Sequence, residues 1–277
     1  MYFRPARLRE ACEALASRPL TVLAGGTDHF PSRVGGAPRE DILDLTAIAE
    51  LRGIRKTAEG WRIGATTTWS EVLEAKLPPL FDALKLAARE VGGVQIQNAG
   101  TVAGNICNAS PAADGAPALL ALDASVELSS NSGTRALPLA DFIVGPRKTA
   151  LRPGEIVTAV VVPAPHGAAH SHFLKLGARK YLVISIAMVA AVIETERGIV
   201  HAARIAVGSC SPVAKRLSSL EGVLVGKKLD KDVSELASAE HLSSLKPIDD
   251  VRGSGEYRLE AALTLVQRAL HEIGSRA

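Results

Sequence analysis

Residues 98–111 read Asn-Ala-Gly-Thr-Val-Ala-Gly-Asn-Ile-Cys-Asn-Ala-Ser-Pro, fourteen positions without a charge in which small residues alternate with amides and hydroxyls. No other stretch constrains the fold as much. It suits a backbone brought close to something polar, flat or anionic, with many short hydrogen-bonding groups on offer. It equally suits a β-helical turn or a loop held by its own asparagines. A second segment of similar character lies upstream. Residues 21–24 form a short apolar strand that runs into Gly25-Gly26-Thr27-Asp28, with a helix expected to follow toward Val34. Successive N–H groups at such a strand-to-helix junction favour an anion. Glycine there permits close backbone approach and positive φ. An ordinary strand–helix turn has the same appearance. The segment is neither a Walker loop, since no Gly-Lys-Ser/Thr follows, nor the dinucleotide fingerprint G-x-G-x-x-G.

The rest of the composition excludes more than it assigns. With 47% hydrophobic and 22% charged residues over 277 positions, the chain is an ordinary globular protein of one large domain or two smaller ones. A net charge of +3, from 32 basic and 29 acidic residues, leaves no electrostatic footprint for nucleic acid or a membrane surface. The longest apolar run, 181–193, is interrupted by Ser185 and falls short of the roughly 18 residues a spanning helix needs. Arg4, Arg7, Arg9 and Glu10 stand where a signal peptide requires an apolar stretch, so the expected location is the cytoplasm. Cys12, Cys107 and Cys210 are far apart and form no metal-ligand spacing, so no iron–sulfur cluster or structural zinc is expected in this chain.

Local patterns give an α/β start, with a helix at 7–16 presenting Leu8, Ala11, Cys12 and Leu15, and a strand at 41–45 followed by Thr46 as the cap of a short turn. A hairpin around Glu59-Gly60 follows, then helices from Ser70 and over 80–91. Asp114 is placed either to cap a helix over 114–122 or to accept from a ribityl or ribose hydroxyl. Strands at 126–128, 134–137 and 156–162 lead to the Pro/Gly/His-rich segment 163–167, the expected domain boundary. Beyond it, three antiparallel strands (172–176, 184–194 and 202–208) precede helices at 213–220, 232–242 and 257–273.

Four motifs in order, spread over nearly the whole chain, carry a resemblance. They are Ala24-Gly25-Gly26-Thr27-Asp28; Thr101-Val102-Ala103-Gly104-Asn105 followed by Ala109-Ser110-Pro111-Ala112-Ala113-Asp114; Arg147-Lys148-Thr149 with 151–157; and Phe173-Leu174-Lys175 with Arg179. The chain resembles the FAD-binding medium subunit of the molybdenum hydroxylases, the family of xanthine dehydrogenase and carbon monoxide dehydrogenase. It departs from the family pattern TxGGN at Ala103, where a positive φ would be costly.

The resemblance implies an α+β protein: a two-subdomain FAD-binding fold of the PCMH/vanillyl-alcohol-oxidase type, then a small C-terminal domain with a three-stranded antiparallel sheet and helices. The implied domains are 1–165, with subdomains of about 1–55 and 56–165, and 166–277. It implies that Val22, Leu23, Ala24, Gly25, Gly26, Thr27 and Asp28, with Thr101, Val102, Ala103, Gly104 and Asn105, wrap the FAD pyrophosphate. Asp114 would accept from ribityl or nearby hydroxyls, Val157 would touch the flavin or adenine end, and Lys175 would lie near the isoalloxazine. A fixed cation there would raise the flavin potential; a solvated strand lysine is the alternative reading of Lys175. His29 and Tyr181 are further candidates for flavin contact. No catalytic acid or base and no metal ligand is implied. The implied function is an electron-transfer subunit of an oxidoreductase, fed by 2Fe–2S clusters of a small subunit and a molybdopterin large subunit in a heterotrimer or its dimer. An external acceptor (NAD, oxygen or a quinone) would receive the electrons. Two alternatives are a self-sufficient FAD-dependent oxidase or reductase acting on a small molecule, and a flavin-free scaffold.

Overall fold

The computed structural model describes residues 1–33 and 40–276, and Val34, to which the helix after the first glycine segment was expected to run, lies outside them. Among the described residues, three larger sheets succeed one another along the chain, with one separate two-stranded hairpin. The first is parallel. Its strands are β1 (Tyr2–Phe3), β2 (Thr21–Leu23) and β3 (Ile42–Asp44) in the order β1-β3-β2, with helix α1 (Leu8–Ser17) as the crossover between β1 and β2. Ala11 and Cys12 of α1 bury their side chains in a small core with Leu43, Ile48 and Leu51, and Leu8 and Leu15 pack against it, as the helical spacing of the four requires. Thr46 caps nothing. Its N–H donates to Asp44 Oδ1 at 2.8 Å, and the short 3-10 turn starts later, at Ala49.

The second sheet is antiparallel and uses β4 (Ile54–Lys56), β5 (Gly60–Gly64), β6 (Ser125–Ser130), β7 (Gly133–Pro138) and, after a small hairpin of β8 (Ile143–Gly145) and β9 (Lys148–Thr149), the long β10 (Ile156–Pro163). The order β4-β5-β10-β6-β7 puts the nearly continuous apolar run of β10 at the centre. Between β5 and β6 the chain makes α2 (Trp69–Glu74), α3 (Asp82–Glu90), α4 (Val94–Ala99), α5 (Val102–Asn108) and α6 (Gly115–Ala121). Thr68 starts α2 through a capping box with Glu71.

The third sheet is antiparallel as expected, β11 (Ala168–Leu176), β12 (Ala187–Glu196) and β13 (Ile199–Gly208), with a two-residue fourth strand, β14 (Lys215–Arg216), added at its edge. That strand takes the first residues of the helix expected at 213–220, which begins instead at Ser218. The strand β12 is buried on both faces. Ala187, Val189, Ala191 and Ile193 face one core with Leu265, Val266 and Leu270 of the last helix (Gly255–Gly274), while Met188, Ala190 and Val192 face the core beneath the second sheet. Burial on both sides erases the period-two alternation and explains the long apolar run. The helix expected over 232–242 is two 3-10 pieces, Lys231–Leu236 and Ala239–Leu242, divided where Ser238 turns its side chain to His241 Nδ1. Among the described residues, no helix is long and apolar enough to cross a membrane.

Candidate functional site

The two glycine-containing segments meet. At the end of β2 the chain turns through Ala24 and Gly25, and a Cβ added to Gly25 would lie 1.9 Å from the Ala99 carbonyl oxygen and 2.9 Å from Gly100 Cα. Only glycine allows this approach of backbone to backbone. Gly26 has φ +67, and its open face is taken by the Phe30 ring. The helix expected after the loop is reduced to a turn in which Phe30 N–H donates to the Gly26 carbonyl at 3.1 Å. Among the described residues, the N–H groups of Gly25, Gly26, Thr27 and Asp28 find no acceptor. Gly25, Gly26 and Thr27 are half-buried and Asp28 is exposed, and a row of unpaired N–H groups of this kind suits an anion.

The second segment is helical, not a loop. Thr101 caps α5, its Oγ1 accepting from Gly104 N–H at 3.0 Å, and Val102 and Ile106 bury in the core below. Val102 N–H donates to the Thr67 carbonyl at 3.0 Å and Trp69 N–H to the Gly100 carbonyl at 3.1 Å, which stitches α5 to the start of α2. Ala103 sits in the first turn of α5 and is not among the residues with positive φ. The strain expected from losing a glycine there does not arise. The helix ends at Ala109, which takes the left-handed conformation with φ 47.

Together the segments wall a cavity of about 820 Å³, within the roughly 300–1,000 Å³ typical of small-molecule sites. All of Val22, Leu23, Ala24, Gly25, Gly26, Thr27 and Asp28 line it, as do Thr101, Gly104, Asn105 and Asp114. Val102 and Ala103 turn their side chains into the core instead, and so does Val157, which is 5% exposed on β10 beneath α5. Lys175 reaches the site only through Asp114. His29 is on the wall, whereas Tyr181 is 63% exposed and not among the lining residues. Residues that sequence reasoning did not place here include Trp69, Cys107, Arg147 and Ile184. Arg147 lay inside a quoted motif, but nothing in its neighbours signalled that it holds φ 58 and hydrogen-bonds the side chain of Asn108 across the cavity rim.

Asp114 occupies the N-cap position of α6 without capping it, since its backbone is already helical and its carboxylate points elsewhere. Lys175 Nζ donates to Oδ2 and Ser185 Oγ to Oδ1, each at 2.9 Å, and Lys175 donates also to the Glu90 carbonyl at 3.2 Å. The Lys175 side chain is 4% exposed and that of Asp114 11%, so the pair is buried and the solvated reading of Lys175 is corrected. Burial pushes the Asp114 carboxyl above its ordinary value, against the pull of the Lys175 ammonium and the Ser185 hydroxyl. Burial also pushes the Cys107 thiol up to about 12, so it stays protonated and takes no part as a thiolate. Asn105 Oδ1 is buried without a partner among the described residues, at a cavity wall where Gly115 leaves no room for a Cβ. An orphaned acceptor, unpaired N–H groups and a glycine cradle are what a dinucleotide with phosphates and hydroxyls would satisfy.

Comparison with known proteins agrees. A family described as the FAD binding domain in molybdopterin dehydrogenase matches residues 1–165, and one described as the CO dehydrogenase flavoprotein C-terminal domain matches 172–273. The glyceraldehyde dehydrogenase medium chain of Sulfolobus acidocaldarius is 32% identical over 98% of this chain and 97% of its own length. A putative xanthine dehydrogenase FAD-binding subunit of Escherichia coli K12 is 33% identical over 98% of this chain and 94% of its own. Carbon monoxide dehydrogenase from Hydrogenophaga pseudoflava, in a solved structure, superposes with a TM-score of 0.88 at 30% identity, covering 98% of this chain and 96% of that one.

Proposed function

The chain belongs to the FAD-binding medium subunits of the molybdenum hydroxylases, an oxidoreductase family, and we propose that it relays electrons from a partner subunit to an external acceptor. The carrying observation is the approach of Gly25 to Ala99 and Gly100, which sets a row of unpaired N–H groups over a cavity walled by both segments. FAD bound there supplies the redox chemistry. The protein's own residues hold and tune it. The N–H groups of Gly25 to Asp28 receive the pyrophosphate, Thr101 and Gly104 wall it from the start of α5, and the orphaned Asn105 Oδ1 accepts from a neighbouring hydroxyl. Asp114 accepts from a hydroxyl with the lone pairs that Lys175 and Ser185 leave free. Val102, Ala103 and Val157 back the wall from the core, and Arg147 adds a cation at the rim.

The electrons come, in this reading, from 2Fe–2S clusters of a small subunit, reduced in turn by a molybdopterin-bearing large subunit. Among the described residues, no group of three or more His, Cys, Asp or Glu side chains could hold a metal ion, and Cys12 and Cys210 are buried apart from one another. Residues 1–165 then act as the cofactor domain and 166–277 as a second domain that closes it through Lys175 and Ser185.

The test is to purify the chain with its native partners and alone, and to record visible spectra before and after anaerobic dithionite titration. Flavin bands in the isolated chain, with molybdenum- and iron-bearing subunits co-purifying, support the proposal. A chain that takes up no added FAD refutes it, and a yellow monomer that turns over a small molecule unaided would favour a self-sufficient oxidase.

A further inference from the structure

Residues 177–186 leave the edge strand β11 and return to the central strand β12. The neck of this excursion is closed by Ile186 N–H donating to the Leu176 carbonyl at 2.7 Å. Its tip is exposed at Tyr181 and Leu182, while Ser185 is buried and Ile184 lies on the cavity wall. Among the described residues, the one side-chain hydrogen bond that Ser185 makes is to Oδ1 of Asp114.

That bond does something Lys175 cannot do. An ammonium is a compact charge on a flexible stem with rotatable donors, so it attracts a carboxylate without fixing the plane of its two oxygens. The terminal torsion of an aspartate is correspondingly broad. A second donor from a different direction removes the freedom. With Lys175 on Oδ2 and Ser185 on Oδ1, each oxygen is engaged once, and a carboxylate has about four acceptor sites in all. The unused sites belong to a side chain that lines the cavity.

We propose that Ser185 is a positioning residue of the cofactor site, fixing the Asp114 carboxylate so that its free lone pairs meet a hydroxyl of bound FAD; this rests on the reading of the cavity as the FAD site. Ser185 touches no cofactor atom in this scheme and acts only through Asp114. A hydroxyl present merely to satisfy a buried carboxylate would affect the stability of the empty chain and leave cofactor affinity and flavin potential where they were.

The experiment uses the full chain, stripped of cofactor and titrated with FAD, as wild type, Ser185→Ala, Ser185→Cys and Val183→Ala. The last trims the same segment, where Val183 packs on Gly177, without touching Asp114. Because Ser185 acts on FAD only through Asp114, Ser185→Ala passes on only part of the worth of a hydrogen bond to a charged group. It is expected to bind FAD about 3- to 10-fold more weakly, with Ser185→Cys in between and Val183→Ala within about twofold of wild type. The flavin midpoint potential is expected to shift in Ser185→Ala and not in Val183→Ala. Should Ser185→Ala fail to fold, the isosteric cysteine variant carries the comparison. Affinity and potential unchanged in the serine variants overturns the proposal, and so does an equal loss in Val183→Ala. Failure of the wild type itself to take up FAD is a separate result, which sinks the cavity assignment beneath it.

Discussion

Replacing Gly25 with alanine exchanges one hydrogen for a methyl group at the point where the two glycine-containing segments touch. The new Cβ would stand 1.9 Å from the Ala99 carbonyl oxygen, 2.6 Å from its carbon and 2.9 Å from Gly100 Cα. All three neighbours are backbone, so no side chain can swing aside and one segment must move away by more than about 1 Å to restore van der Waals distance. Gly25 has no positive φ, so the penalty is steric and not conformational. Overpacking of this kind costs about 1–3 kcal/mol. For a domain of this size, with roughly 2–4 °C per kcal/mol, the melting temperature of the chain without cofactor should fall by about 2–12 °C. If the displaced N–H row loses a similar amount toward the pyrophosphate, FAD binds about 5- to 150-fold more weakly. Differential scanning fluorimetry and a flavin titration read the two effects separately. A Gly25→Ala chain that melts within about 1 °C of wild type and binds FAD within twofold would refute the contact, and with it the reason both segments carry glycine.

Lys175→Met should cost about 3–5 kcal/mol, because it strands a buried carboxylate, while Asp114→Asn with Lys175→Met should recover most of it; chemical denaturation of both checks this. Ala103→Gly should lower stability by roughly 0.5–1 kcal/mol and leave FAD affinity unchanged, since the position is helical; a gain in affinity would show that positive φ is wanted there. Gly222 lies inside a helix with open space around it, so Gly222→Ala should raise stability by about 0.5–1 kcal/mol in a thermal melt. The Arg252 N–H, with the Arg258 and Arg252 guanidiniums, holds Asp250 down at about 2. A depressed folded value gives stability that is complete above the unfolded value of about 3.9 and lost as pH falls toward 2, so Asp250→Asn should flatten the acid-unfolding curve across that window.

The elements legible in the sequence are those whose side chains repeat with the period of the structure they form. Leu8, Ala11, Cys12 and Leu15 disclose α1 in this way. The first glycine segment became legible as a candidate site only together with the later motifs, because a strand running into paired glycines also describes an ordinary strand–helix turn. Residues 102–108 were not legible as a helix. Gly104, Asn105 and Asn108 are weak helix formers, and what makes the segment helical is a cap at Thr101 together with burial of Val102 and Ile106 against β10, a strand some fifty residues further on. Local composition pointed to loop and tertiary packing overrode it.

The partners of Asp114 show the same limit more sharply. Lys175 and Ser185 lie 61 and 71 residues away in sequence, and no spacing rule connects them. From the sequence, Lys175 offered its charge to the flavin. In the fold that charge is already matched by a carboxylate 2.9 Å away and shielded from water. Seen from the cavity, an ion pair of this kind is a dipole, whose field falls off faster than that of a lone ammonium. Among the described residues, the donors left unpaired at the cavity are then the N–H row of Gly25 to Asp28, and the Arg147 guanidinium stands at the rim. Backbone dipoles held by close glycine packing can be displaced by a bulkier residue, as at Gly25, but they offer no side chain for fine adjustment. On the proposed reading of the cavity, the adjustable element is the carboxylate between Lys175 and Ser185, and cofactor affinity should follow how firmly those two residues hold it.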